Sequence, residues 1–305
     1  MAQLPRSEYH PFRSAETRER YLARYDALEA ASPISWTTMV LDTEHGKTLI
    51  RTTGPEHGRP LVMLNGVWAH SLQWPSQLIE ALSRGHRVYC PDSIYDFGRS
   101  VCARPPDGTG DYLAWIDESL DALGLTRDVS IFGVSRGAWL AAEYARHAPE
   151  RLAKTVWMSP ALVVCGASWR NATNAPRSLA AFIRPSQRTV GAMLRWLMPD
   201  MAALRPQEFE QYVSDMVLGL ECFTNATNVM RGPRVFTPAE LGRIRTPVLY
   251  LAGEREKLSS PKAAAARLSK VAPQIQVAVL PDAGHDLADL HPDAVADQVI
   301  RFLDG

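Results

Sequence analysis

The sequence predicts an α/β fold with a mostly parallel central sheet, helices on both of its faces and a helical insertion. Three observations carry this. From Leu61 onward, short apolar runs alternate with helix-forming stretches, the rhythm of a parallel sheet covered on both sides. The rhythm breaks between Ala161 and about Phe236, where helical patterns stand without a convincing strand, and resumes at Val248. Between these, the β-prone run Val129–Phe132 meets the helix-prone run Ala138–Arg146 through Gly133-Val134-Ser135-Arg136-Gly137.

Taken in order, Ser14–Ala30 is charged and helix-prone, with Tyr21, Leu22, Tyr25 and Leu28 on one side. This predicts an amphipathic helix laid on the outside of the core and ended by Pro33. Thr37–Leu41 and Thr48–Arg51 read as a hairpin turning at His45-Gly46. Strands follow at Leu61–Leu64 and Arg87–Cys90, separated by a helix near Leu78–Leu82. A loop from Pro91 to Gly110 leads to a helix over Tyr112–Leu123 with Asp111 as its N-cap. After the Val129–Arg146 unit, which Pro149 ends, Lys154–Met158 is another strand. The insertion carries helical patterns at Arg177–Arg184, Thr189–Met198 and Gln207–Cys222, with Trp169, Trp196 and several Met and Phe residues. The last elements are a strand at Val248–Ala252, a helix at Lys262–Val271, a strand at Gln276–Leu280 and a helix at Pro292–Leu303. The expected division is therefore a core of residues 1–160 and 237–305 and a helical cap over 161–236.

The chemistry concentrates at strand ends. A G-x-S-x-G alone is weak, but between a strand and a helix it has the geometry of a nucleophile elbow. The turn strains the serine backbone, and the glycines let strand and helix approach closely. The Ser135 hydroxyl would then project above a helix N-terminus, where anions are favoured. Other predicted strands run into Asn65-Gly66-Val67-Trp68-Ala69-His70, Gly253-Glu254-Arg255-Glu256 and Pro281-Asp282-Ala283-Gly284-His285. Ligands of open parallel sheets bind at such carboxyl ends.

Together with Pro91-Asp92…Gly98-Arg99-Ser100 and Ala283-Gly284-His285, these residues resemble the α/β-hydrolase superfamily, in particular its small carboxylesterase-like enzymes with an added N-terminal helix. The resemblance covers about residues 36–160 and 237–305. It implies the α/β-hydrolase fold and a triad in the order Ser135, Glu256, His285, with Glu254, Asp282 and Asp286 as competing acids. The backbone N–H groups of Arg136 and Val67 would form the oxyanion hole, with Trp68 as substitute. Two departures stand out: Asn65-Gly66 where the family often has His-Gly, and Glu256 where the acid is usually Asp.

Around that core, Trp68, His70, Trp169 and Trp196 are expected to line the substrate pocket. Asp92 and Asp96 read as loop-ordering residues and the Arg136 side chain as an exposed helix-start group. His10, His45, His57, His86 and His147 read as solvated, and His291 as a helix cap. The implied reaction is hydrolysis of a carboxylic ester, lactone or thioester of a moderately apolar small molecule. Acyl transfer, cyclisation and C–C cleavage use the same triad, and a ligand receptor can keep it without turnover.

Composition narrows the field. The 305 residues hold one large α/β domain or two small ones, and a formal net charge of zero gives no reason to expect nucleic acid or an acidic membrane surface as partner. The four cysteines lack ligand spacing and read as reduced packing residues. Neither a signal peptide nor a membrane span is legible, so a cytoplasmic protein is expected. No H-E-x-x-H, P-loop or G-x-G-x-x-G calls for a metal or organic cofactor.

Overall fold

The computed structural model describes residues 11–224 and 232–305, so the expectation for His10 lies outside the described residues. Its strands are β1 (Thr37–Thr43), β2 (Gly46–Thr53), β3 (Arg59–Leu64), β4 (His86–Pro91), β5 (Val101–Cys102), β6 (Val129–Val134), β7 (Leu152–Met158), β8 (Val248–Gly253) and β9 (Gln276–Leu280). The helices of the first half are α1 (Ala15–Ala31), α2 (Ser76–Ser83), α3 (Thr109–Ala122) and α4 (Arg136–His147). A helical layer follows, made of α5 (Trp169–Ala172), α6 (Ala175–Ile183), α7 (Gln187–Leu197), α8 (Pro199–Leu204) and α9 (Pro206–Cys222). The chain then forms α10 (Pro238–Gly242), α11 (Pro261–Val271), α12 (Leu287–Leu290) and α13 (Pro292–Asp304).

The strands form one sheet in the order β1-β2-β4-β3-β6-β7-β8-β9, with β5 paired to β2. Pairing is parallel from β4 through β9 and antiparallel at β1 and β2. Because successive side chains point to opposite faces, each central strand feeds two cores. Ile131, Trp157 and Tyr250 pack with Ile116, Leu120, Trp139 and Leu268 on one face. Phe132, Met158, Leu249 and Leu251 pack with Leu78, Ile79, Val295 and Val299 on the other. Burying each such aliphatic or Phe side chain contributes roughly 1.5–3 kcal/mol.

The sheet has a topological switch between β3 and β6, which lie side by side with Leu64 opposite Gly133. From β3 the chain steps outward to β4, whereas from β6 it steps the other way to β7 and β8. The carboxyl ends of strands at such a switch are where open parallel sheets bind ligands.

Several local expectations need correction. Helix α1 packs on a third core rather than on the two beside the sheet: Tyr21 and Tyr25 are buried with Trp68, Phe97, Met193, Phe209 and Met216. The reason is its partner, since Arg24 makes a two-pronged ion pair with Asp215 of α9 at 2.6 and 2.9 Å. Ser14 still starts the helix, in a capping box with Thr17. The hairpin turns at Glu44-His45, because Gly46 with φ +139° is already the first residue of β2. Asp111 stands inside the first turn of α3 and accepts the Asp107 N–H at 2.6 Å, while Gly108 holds the cap position. His86 is buried with its Nδ1 3.3 Å from the Leu82 carbonyl, and His45 bonds Glu118 at 2.8 Å, so neither is a solvated side chain. His291 occupies the α13 cap position without a side-chain cap bond.

Candidate active site

Ser135 stands where β6 turns into α4, with φ +53° and ψ −111°. A non-glycine residue held there costs of order 1–3 kcal/mol and persists only where its surroundings enforce it. They do: its N–H donates to the Met158 carbonyl at 2.9 Å, and its carbonyl accepts Ala161 N–H at 3.1 Å. The glycines of the motif are required by contact. A Cβ on Gly133 would overlap the Gly137 carbonyl, and one on Gly137 the carbonyls of Leu64 and Asn65. The loop after β3 thus lies against the elbow, and a Cβ on Gly66 would stand 3.7 Å from that of Ser135.

The expected acid and histidine follow neighbouring strands. Gly253 of β8 pairs with Leu280 of β9, so the loops that follow leave the sheet side by side. They are laced by Glu254 N–H to the Leu280 carbonyl and Arg255 N–H to the Ala283 carbonyl, both at 2.8 Å. His285 Nδ1 donates to Glu256 Oε2 at 2.7 Å. Glu256 Oε1 accepts the N–H groups of Lys257 and Leu258 at 2.7 and 2.8 Å. Burial alone would raise the Glu256 pKa, but the His285 charge, its hydrogen bond and the Leu258 N–H bring it below the usual value. Burial likewise pushes His285 down, and Glu256, Asp286 and Asp289 more than reverse this, leaving it raised. The competing acids are elsewhere. Glu254 and Asp282 are exposed, and Asp286 accepts the Met201 N–H of α8 at 2.8 Å. Asp289 is lifted to about 7 by burial and by Asp286.

The expected oxyanion donors differ in their engagement. The Arg136 N–H opens α4, where helix geometry offers it no intrahelical acceptor. Val67 N–H has no acceptor among the described residues. Trp68 N–H is committed to Asp96 Oδ1 at 2.8 Å, which removes it as the substitute donor. The Arg136 side chain is not exposed: it is buried and pairs with Asp96 Oδ2 at 2.6 Å. Nothing local in the sequence signalled that pair, whose members lie 40 residues apart. Asp92 orders loops, accepting from Tyr25 Oη at 2.5 Å, Ser71 Oγ at 2.7 Å and Arg99 N–H at 2.8 Å.

Of the expected pocket residues, Trp68 is buried with its ring edge-on to Phe182 at 4.9 Å. His70 packs tilted against the Tyr25 ring at 4.9 Å, and burial pushes its pKa down to about 4, so it is neutral at physiological pH. Both line a cavity of about 10 Å³, room for a single water. Trp169 is 79% exposed and lines an open cleft of about 570 Å³ with Arg170, Glu254, Glu256 and Lys262. Trp196 Nε1 donates to Thr173 Oγ1 at 3.0 Å, and its carbonyl accepts from Lys257 Nζ at 2.8 Å, beside the acid loop. Met193, Met198, Met201 and Met216 are packing residues of the third core, which joins the helical layer to α1, Trp68 and Phe97. Among the described residues no group of three or more His, Cys, Asp or Glu side chains is placed to hold a metal ion, and no helix is long and apolar enough to cross a membrane.

The comparisons agree with this architecture. A family model for the alpha/beta hydrolase family matches residues 61–298. The carboxylesterase YbfK of Bacillus subtilis strain 168 is 29% identical over 294 residues, covering 96% of this chain and 97% of its own. An uncharacterized carboxylesterase, nap, of the same strain is 28% identical over 287 residues, covering 93% and 92%. The crystal structure of naproxen esterase from Bacillus subtilis superposes with a TM-score of 0.84 at 28% identity, covering 95% of this chain and 99% of that one. The chain belongs to the alpha/beta hydrolase family, in the esterase-like branch of its serine hydrolases.

Proposed function

We propose that this protein hydrolyses a carboxylic ester, lactone or thioester of a moderately apolar small molecule through a Ser135–His285–Glu256 triad. The observation that carries the reading is the 2.7 Å bond from His285 Nδ1 to a buried Glu256, at the same carboxyl end of the parallel strands as a serine in an enforced elbow conformation. That bond fixes the histidine tautomer, leaving Nε2 as the base. Nε2 takes the Ser135 proton as Oγ attacks the acyl carbon, and Glu256 stabilises the imidazolium. The N–H groups of Arg136 and Val67 receive the oxyanion. The imidazolium then protonates the leaving alcohol or thiol, giving an acyl-enzyme that water cleaves with His285 again as base. The helical layer serves as the cap of the pocket, with residues 161–236 setting which acyl groups enter.

The similarity to an enzyme named for naproxen makes naproxen esters the first substrates to try, alongside p-nitrophenyl esters. Intact-protein mass spectrometry after a fluorophosphonate should show one adduct, mapping to Ser135 and absent from Ser135→Ala. Steady turnover of the esters separates an enzyme from a receptor, which would stop after one acylation. Labelling that persists in Ser135→Ala would remove the nucleophile from this assignment.

A further inference from the structure

We infer that Asp96 is a positioning residue for the oxyanion hole, because one buried carboxylate joins the Val67–Trp68 loop to the first turn of α4. The inference rests on the reading of Ser135 as nucleophile. Its two proposed donors, Val67 N–H and Arg136 N–H, belong to loops after different strands, β3 and β6, yet must converge on one oxygen atom. Asp96, on a third loop after β4, bonds the residue after Val67 and the side chain of Arg136. Its Oδ1 accepts Trp68 N–H at 2.8 Å and Phe97 N–H at 2.9 Å. Its Oδ2 accepts Arg136 Nη2 at 2.6 Å. Asp96 is 1% exposed and Arg136 3%, so no solvent competes for these bonds.

The backbone explains why such a clamp is needed. Trp68 has φ +57°, a left-handed conformation that side-chain-bearing residues avoid. Its N–H lies one peptide beyond that of Val67, so a bond that fixes the Val67–Trp68 peptide restrains Val67 from its C-terminal side. Its N–H bond to Asp96 holds the turn, while the Arg136 guanidinium lies 5.4 Å over the Tyr112 ring and anchors the carboxylate from the elbow side. Burial lifts the Asp96 carboxyl to about 6 even against Arg136 and two N–H donors, as expected of a charge deep inside the fold.

The test compares wild type, Asp96→Asn, Asp96→Ala and the double variant Asp96→Asn, Arg136→Met. Three readouts are taken: turnover of p-nitrophenyl butyrate, affinity for phenylboronic acid, which forms a tetrahedral anion on an active serine, and the fraction of Ser135 titrated by a fluorophosphonate. Asparagine keeps an oxygen for Trp68 and Phe97 but loses the charge facing Arg136. Displacing an oxyanion donor costs about 10²–10³ in kcat, so kcat per titrated site should fall about 10²-fold in Asp96→Ala and about tenfold in Asp96→Asn. KM should change less than about threefold, and boronate affinity should fall in step with kcat/KM. A role confined to the fold would lower the titratable fraction and Tm, leaving kcat per titrated site and boronate affinity at wild-type values. That result in Asp96→Asn overturns the inference, whether or not Asp96→Ala folds. Should the unpaired Arg136 charge unfold Asp96→Asn, the double variant, which buries neither charge, decides by the same criterion. A wild-type protein whose Ser135 escapes the fluorophosphonate overturns the nucleophile reading instead, so the two failures are distinct.

Discussion

Ser135, Arg136 and the Val67–Trp68 loop lie over β3 and β6, which have neighbours on both sides, whereas Glu256 and His285 lie over β8 and β9, the latter an edge strand. The Ser135 end is held by the sheet itself and by the buried Asp96–Arg136 pair. The Glu256–His285 end is tied to the helical layer by hydrogen bonds, where the Ser135 end meets it through the Trp68 ring on Phe182. Met201 N–H donates to Asp286, Ser168 Oγ to the Lys257 carbonyl, and Lys257 Nζ to the Trp196 carbonyl, at 2.7 to 2.8 Å. The difference teaches that changes in the helical layer should register in the protonation of His285 before they register in the conformation of Ser135.

The largest expected effect isolates the edge end. Glu256→Gln should lose on the order of 10⁴ in kcat with the fold intact, as loss of the orienting carboxylate does in a comparable triad. Glu254→Gln and Asp282→Asn, both exposed, should stay within about tenfold, or ~1.4 kcal/mol of barrier. Collapse in either of those with Glu256→Gln active would move the acid. The same variant tests linkage. The raised His285 pKa adds stability that is complete below its ordinary 6.5 and is lost as pH rises through the folded value. The lowered Glu256 pKa adds stability that is complete above its ordinary 4.5 and is lost as pH falls through the folded value. Urea unfolding of wild type and Glu256→Gln should therefore diverge most between pH 4.5 and 6.5, and a pH-independent gap would contradict the pairing.

A smaller effect probes the tie between the two layers. Asp286→Ala orphans the buried Met201 N–H and should cost about 1–3 kcal/mol in urea unfolding. It also removes one of the charges that raise His285 against burial, so His285 stays neutral to lower pH. The acid limb of kcat/KM should accordingly shift downward, while Asp286→Asn, which can still accept from Met201, keeps the stability and shows the shift. An unmoved limb in both variants would show that the tie is mechanical only. The smallest effect belongs to Trp169→Ala. Its ring is 79% exposed, so stability should stay within about 0.5 kcal/mol and only the ranking of aryl esters should change. A large loss of stability would reveal a packing role instead.

How much of this was legible follows from how far each feature reaches along the chain. The elbow was legible because β6, Ser135 and α4 are consecutive, and the Gly133 and Gly137 contacts that require glycine involve near neighbours and one adjacent strand. Period and composition placed the central strands to within a few residues, since each is buried on both faces. The order Ser135, Glu256, His285 came from resemblance rather than from periodicity. The charged residues were misjudged where their partners are remote: Arg136 read as exposed because its own neighbours are polar or small, and Asp96 lies 40 positions away. What helix α1 packs on was not legible because Asp215, the residue that docks it, is 191 positions off.

The amino-acid sequence by itself determined the strands, the elbow turn and the residue types able to do acyl chemistry, because backbone conformation and side-chain period are properties of neighbours in the chain. Only the tertiary structure decided that Glu256 rather than Glu254, Asp282 or Asp286 meets His285, that Trp68 N–H is spoken for, and that Arg136 is buried. Those outcomes depend on which loops the sheet order brings together, and a charge can be buried only where a partner from elsewhere in the chain arrives to meet it.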